Sequence, residues 1–307
     1  MGFCGYSRDG LFCKGPALRA MTLKRFIKLR QSAAPALFPL EDFAMNQPCA
    51  GRVSRERRGH VHLIGLDRAA KRNAFDLDLL DDLSLAYGEF EADNEARVAV
   101  VFGHGEHFTS GLDLVNASAA LAEGWQVPTG GCDPWGVFVG PRVSKPVIVA
   151  AQGYCLTIGI ELMLAADINL CASNTRFAQM EVQRGIFPFG GATLRFQQIA
   201  GWGNAMRWLL TGDEFDAHDA LHLGLVQEVM ASEDLMPRAI ELAERIARQA
   251  PLGVQATLLS ARQARYEGET AAAQALPALV KKLLATEDAR EGVRSLVERR
   301  PGVFKGL

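Results

Sequence analysis

Beyond residue 58 the pattern of apolar and polar positions alternates between short buried runs and longer helical stretches. Val61–Leu66 is an apolar run of strand length, followed by the turn-prone Asp67–Asn73. From Asp76 to Asp93, Leu77, Leu80, Leu83 and Phe90 fall at roughly helical spacing, which predicts a helix. Arg97–Phe102 is a β-branched run closed by Gly103 and Gly105. Lys145–Ala151, reached through Pro146, reads as another buried strand, Leu156–Ala166 as an apolar helix and Ile168–Ala172 as a further buried strand. Ser232 to Arg300 is nearly all helical, with breaks near Pro251 and Gly268. Alternating strands and helices predict an α/β core with a helical C-terminal region beside it. Ala119 to Gly140 has two tryptophans and several glycines but no period, which predicts a loop over a site. The chain shows no internal repeat.

Charge changes this picture at one end. Residues 1–58 carry 11 Lys/Arg against 4 Asp/Glu, although the whole 307-residue chain has a formal net charge of only −2. This basic head lacks hydrophobic periodicity and is expected to be a disordered extension. It has three readings: a start placed upstream of Met21 or Met45, a transit-type segment in MTLKRFIKLRQSAAPALF, or a basic arm. The division expected is therefore an extension over 1–58, an α/β core over 59–250 and a helical region over 251–307. Near-neutral charge gives no reason to expect nucleic acid or an anionic membrane as partner. No apolar run reaches the roughly 20 residues of a membrane span. Six cysteines without CxxC spacing read as reduced thiols of an intracellular protein, cytoplasmic, or of the mitochondrial matrix if the head is a transit segment.

Three segments place chemistry at strand ends, where open α/β sheets put their sites. GHGEHFTSGLDL (103–114) and GYCLTIGIELMLAAD (153–167) each follow a buried strand, and FAQMEVQRGIFPFGGAT (177–193) follows Ile168–Ala172. In the second, a helix starting near Thr157 leaves its first amides without partners and able to act as anion donors. Glu161 lies on that otherwise apolar helix, where burial of a carboxylate is costly unless it has a job, a partner or a way out to solvent. Glu181 is a loop carboxylate unless its neighbours enclose it. The GxG at 103–105 lacks the third glycine of a dinucleotide fingerprint.

Taken with KRNAF (71–75), TGDEFDAHDALHLGLV (211–226) and EDAREGVRSLVERRPGVF (287–304), these segments resemble the motifs of the enoyl-CoA hydratase/isomerase (crotonase) family, over roughly Val61 to Phe304. The resemblance implies a spiral of repeated ββα units and an enzyme acting on an acyl-CoA thioester, with no metal or redox cofactor. It implies that Leu112 and Ile158 supply the two backbone N–H groups of an oxyanion hole. Glu161 and Glu181 match the catalytic carboxylates of the hydratases, Glu181 protonating C2 and Glu161 orienting and activating water. Lys71, Arg72, Ser110, Gly111, Asp113, Phe189, Phe304 and Lys305 fall where substrate or CoA is bound. A homotrimer or dimer of trimers, joined through C-terminal helices, is also implied. The alternatives are a Δ3–Δ2 enoyl-CoA isomerase or another crotonase enzyme, and a non-catalytic binder of a CoA thioester, RNA or protein.

Two departures bear on the reaction. Thr157-Ile158-Gly159 stands where hydratases have a run of glycines, so Ile158 is expected to present its amide from helical backbone. Phe189 follows Pro188 where the family has glycine, beside the expected water position. Trp125, Trp135, Phe138, Met180 and Phe187 join Phe189 as candidates for an acyl pocket or plain core. His218 and His222 read as a helix surface rather than metal ligands, and His104 and His107 as loop residues.

Overall fold

The computed structural model describes residues 52–307. Its first strands, Arg52–Arg58 (β1) and Val61–Asp67 (β2), pair as an antiparallel hairpin. Residues 52–58 therefore belong to the sheet and not to the basic extension expected from the sequence. The run RVSRERR hides its strand character because only Val53 is buried. An edge strand needs backbone pairing on one side, and its charged residues are what an edge exposes. The rest of that extension lies outside the described residues.

A 3-10 turn over Ala69–Lys71 leads to helix α1, Leu77–Ala92, whose N-cap Asp76 accepts from the Leu79 amide at 3.0 Å. Next come Val98–Gly103 (β3), Leu114–Glu123 (α2), Val147–Ala151 (β4), Tyr154–Leu156 (β5) and Ile158–Ala165 (α3). Then follow Ile168–Ala172 (β6), Arg176–Ala178 (β7), a 3-10 turn at Glu181–Arg184, Ala192–Ala200 (α4) and Trp202–Thr211 (α5). Glu214–Asp216 (β8), Ala217–His222 (α6) and Glu228–Met230 (β9) complete the core. The C-terminal region is Ser232–Ala247 (α7), Pro251–Glu267 (α8), Glu269–Leu284 (α9) and Glu287–Glu298 (α10).

The larger sheet runs β1-β2-β3-β4-β6-β9, parallel from β2 onward, and a smaller sheet runs β5-β7-β8. Successive units send one strand to the large sheet, the next to the small one, and then a helix, as in β4–β5–α3 and β6–β7–α4. This is the ββα spiral of a crotonase-like fold. Both faces of the large sheet are covered, which explains the continuous apolar runs of its strands. Leu63, Val100, Ile148 and Leu170 face Leu235, Ala239 and Ala243 of α7. Ile64, Val101 and Val149 point the other way, into the core that holds Leu79, Leu83 and Phe90 of α1.

The stretch from Ala119 to Gly140 is not one irregular loop. It begins inside α2, and the segment after it is fastened: the Asp133 carboxylate accepts from the amides of Trp135 at 2.8 Å and Phe138 at 2.7 Å, and Trp125 Nε1 donates to Asp81 at 2.7 Å. Among the described residues, no helix is long and apolar enough to cross a membrane, and no group of three or more His, Cys, Asp or Glu could hold a metal. Cys132, Cys155 and Cys171 are buried free thiols.

Candidate active site

The loop after β3 is tied down before it reaches Leu112. Asn73 is fully buried, and its Nδ2 donates to the carbonyls of His104 and His107 at 2.9 and 2.8 Å. Thr109 Oγ1 donates to Asn73 O at 2.7 Å and accepts from the Gly111 amide at 3.0 Å. Phe75 N donates to Gly111 O and accepts back, through its carbonyl, from Asp113 N, both at 2.8 Å. Those two bonds sit on one side of Leu112, so its own N–H faces away and has no partner among the described residues.

On the facing segment, Thr157 N donates to Ala178 O at 2.9 Å, and Ile158 opens α3 with an amide that likewise has no partner. Trp135, fully buried, donates Nε1 to Ile158 O at 3.1 Å and fixes that peptide. Ile158 thus lies in helical backbone as expected, and the cost falls one residue earlier. Thr157 has φ +49° and ψ −114°, which a β-branched residue adopts only under strain. Its Oγ1 is buried without a partner and sits against Gly111, whose φ of +97° and lack of Cβ make that approach feasible. The two unpartnered amides are therefore held on segments in direct contact.

Glu161, 2% exposed, lies in the first turn of α3. Its Oε1 accepts from Ala192 N at 3.0 Å, and the amides of Gly190 and Gly191 also face it, so the carboxylate caps the N-terminal end of α4. Burial nonetheless raises its pKa to about 7, with the three amides and the Arg195 charge acting in opposition. Glu181, 5% exposed, starts the 3-10 turn after β7. Burial raises its pKa to about 8 against the pull of its own backbone amide, and the Glu161 charge raises it further. The Glu161 charge is thus felt at Glu181. With its amide nitrogen turned toward Glu181, fully buried Gln179 donates to both carboxylate oxygens at 2.9 and 3.0 Å. Gln179, Asn73 and Trp135 were not picked out for these tasks from sequence; the one available hint for Gln179 is its spacing two residues before Glu181.

Other expected positions divide into groups. Lys71 and Arg72 are exposed on the rim, and Ser110 joins them, its amide donating to Arg72 O at 2.9 Å. Arg72 lies 5.8 Å from the Tyr154 ring centroid, beside a cleft of about 610 Å³ lined by His107, Tyr154 and Arg176. Asp113 uses its carboxylate to accept from Arg68 at 3.2 Å and Asn116 at 2.9 Å, so it secures the loop. Phe189 is half-buried next to Gly190, which abuts Glu161. Trp125, Trp135 and Phe138 meet edge to face in the neighbouring wall, whereas Phe187 is 61% exposed.

Phe304 and Lys305 are not brought to the other site residues within this chain. Phe304 O accepts from Arg97, just before β3, at 2.9 Å, and Lys305 N donates to Asp288 at 2.7 Å. They thus dock near the start of β3, while the Ser110–Asp113 loop follows its other end. His104 bonds Ser54 Oγ at 2.7 Å and His107 accepts from Tyr154 N at 3.1 Å, both as loop fasteners.

Comparison with known proteins agrees with this architecture. A sequence model of the enoyl-CoA hydratase/isomerase family matches residues 56–306. Carnitinyl-CoA dehydratase of Citrobacter koseri is 36% identical over 259 residues, covering 81% of this chain and 97% of that protein. Enoyl-CoA hydratase EchA19 of Mycobacterium tuberculosis is 29% identical over 253 residues, covering 81% and 95%. Among solved structures, a probable enoyl-CoA hydratase/isomerase from Mycobacterium abscessus is 50% identical with a TM-score of 0.81, covering 83% of this chain and 98% of that one. A family match that runs from the first sheet strand to the last residues leaves one assignment: the chain belongs to the enoyl-CoA hydratase/isomerase family, whose members act on acyl-CoA thioesters.

Proposed function

We propose that this protein is an enoyl-CoA hydratase, adding water across the 2,3 double bond of a 2-enoyl-CoA thioester. The observation that carries the reading is the pair of buried glutamates, held differently and both with raised pKa, beside two unpartnered amides. In this reading the thioester oxygen accepts from Leu112 N and Ile158 N, which stabilise the negative charge that grows as the C3–O bond forms. Glu161, ionised in part at neutral pH, takes a proton from the attacking water. Glu181, protonated at the same pH, delivers its proton to C2. The exposed Lys71 and Arg72, with Ser110, would receive the CoA phosphates at the rim, and Gly111 lets the thioester approach the backbone.

The second reading is a Δ3–Δ2 enoyl-CoA isomerase, and Phe189 favours it. In this reading the ring of half-buried Phe189, one residue before the Gly190 that abuts Glu161, would take space from water and leave Glu181 to move one proton between carbons. A homotrimer or dimer of trimers is part of the same proposal. Val293, Leu296 and Val297, spaced to share one face of α10, are 65%, 79% and 77% exposed, an apolar face suited to a neighbouring subunit.

Loss of 2-enoyl absorbance with crotonyl-CoA tests the proposal. The intact protein is expected to bleach it, and Glu161→Gln and Glu181→Gln to be slower by about 10²–10⁴-fold. An intact protein inert on 2-enoyl chains of several lengths overturns hydration.

A further inference from the structure

The amides of Leu112 and Ile158 lie on separate segments of chain, and one side chain touches the supports of both. Trp135 is fully buried and donates Nε1 to Ile158 O at 3.1 Å, on the peptide that follows the Ile158 amide. The peptide that carries this amide is held through its own carbonyl: Thr157 O accepts from Ile160 N at 2.9 Å and from Glu161 N at 3.2 Å. On the other segment, Phe75 brackets Leu112 through its two backbone bonds. The Phe75 ring, also fully buried, meets the Trp135 ring edge to face, with 5.7 Å between centroids and 74° between planes. The contacts Leu112–Phe75–Trp135–Ile158 therefore pass through a single indole.

Trp135 is itself firmly placed. Asp133, 2% exposed, accepts from its amide at 2.8 Å and from Phe138 N at 2.7 Å, and Asp133 N donates to Pro141 O at 2.7 Å. Trp125 and Phe138 pack edge to face on the same indole, at 6.4 and 5.9 Å, and Trp125 Nε1 is tied to Asp81 of α1. A buried indole needs a partner for its N–H, and any core carbonyl would satisfy it. The partner chosen is the carbonyl of the residue whose amide is left free for a ligand. Such an amide stabilises an oxyanion only from hydrogen-bond distance, and its placement has to hold within roughly 0.5 Å.

We propose that Trp135 is a positioning residue for the oxyanion hole: its indole sets the spacing of the Leu112 and Ile158 amides, bonding the support of one and packing on the support of the other. The inference rests on the acyl-CoA reading, in which those two amides receive the thioester oxygen. It also gives a task to the segment after α2, residues 124–140, which has neither helical nor strand period: it delivers one indole to both donor segments. The neighbouring fasteners, Asp133 and the Trp125–Asp81 bond, serve that delivery.

Infrared spectroscopy of the full-length protein with butanoyl-CoA, isotopically labelled at its carbonyl carbon, tests this. A saturated thioester cannot be hydrated, and its C=O stretch falls in frequency as the oxygen accepts hydrogen bonds. Bound to the wild type, the stretch is expected below its value in water. Trp135→Phe keeps an aromatic ring and removes the N–H; it is expected to lose about half of that shift while Kd stays within a few-fold. For turnover the same variant should lower kcat about 10-fold with KM little changed. Phe75→Leu removes the ring contact and leaves both backbone bonds of residue 75, and is expected to lose a smaller part of the shift. An unchanged shift in Trp135→Phe overturns the proposal, whatever its stability, because it assigns the indole to packing alone. Should Trp135→Phe not fold, an unchanged shift in Phe75→Leu overturns it in the same way. A wild type that binds butanoyl-CoA with no shift overturns the oxyanion reading beneath the inference. A wild-type shift reduced in Trp135→Phe, with hydration absent, supports the inference and removes only the hydratase reading.

Discussion

Glu161 and Glu181 share a site but differ in what surrounds them. Glu161 faces three successive backbone amides at the start of α4, with the charge of Arg195 behind them. Glu181 faces a neutral side-chain amide, Gln179, and the negative field of Glu161. Fixed donors and a nearby cation favour an ionised carboxylate, whereas burial beside another acid favours a protonated one. In the proposed mechanism that difference divides the chemistry: the carboxylate held by more donors acts as base and the other as acid. The expected profile of kcat/KM against pH is a bell, rising as Glu161 ionises near pH 7 and falling as Glu181 loses its proton near pH 8.

The largest effect expected on this contrast is on stability. Both glutamates have folded pKa values above the ordinary 4.5, so the folded state holds protons that the unfolded chain has released. Their contribution is fully present below about pH 4.5 and is lost as pH rises through about 7 and 8. Denaturant unfolding between pH 5 and pH 9 should show the wild type losing about 1–3 kcal/mol more than Glu181→Gln, which has no such proton to lose. Parallel curves would mean that Glu181 is not strained by ionisation. A step smaller, Gln179→Leu removes a donor that favours ionised Glu181. We expect kcat/KM to fall about 10-fold and its alkaline limb to move to higher pH, measured from the same profile.

Smallest is the effect of Thr157→Gly. It relieves a backbone strain of about 1 kcal/mol or more, so the midpoint of thermal unfolding should rise slightly. The contact with Gly111 that steadies the two free amides is lost with it, and kcat should fall a few-fold with KM little changed. A variant that is both less stable and fully active would show that Thr157 serves packing alone.

Long features were legible in the sequence and short ones were not. Val61–Leu66, Arg97–Phe102 and Ile168–Ala172 stood out because a doubly covered parallel sheet makes its strands apolar throughout. The three-residue strands β5, β7, β8 and β9 give no period to detect, and Arg52–Arg58 buries a single side chain. Leu156 was read into a helix that begins only at Ile158, because the strand β5 and the helix are both apolar. Glu161 and Glu181 could be picked out through the family motifs, yet their unlike settings could not. Those settings come from amides of residues 190–192 and from Gln179, groups with no charge or pattern to mark them. The β-branched pair was weighed only at Ile158, which is helical as expected; the positive φ falls on Thr157, since which residue takes it depends on where the first helical turn starts.

The most direct test of the division between the two glutamates is the ratio of two activities in Glu161→Gln: isomerisation of 3-enoyl-CoA, which needs only proton transfer by Glu181, and hydration of crotonyl-CoA, which needs both. The account predicts that Glu161→Gln keeps isomerisation and loses hydration, while Glu181→Gln loses both. Loss of both activities in Glu161→Gln, or isomerisation surviving in Glu181→Gln, would contradict it.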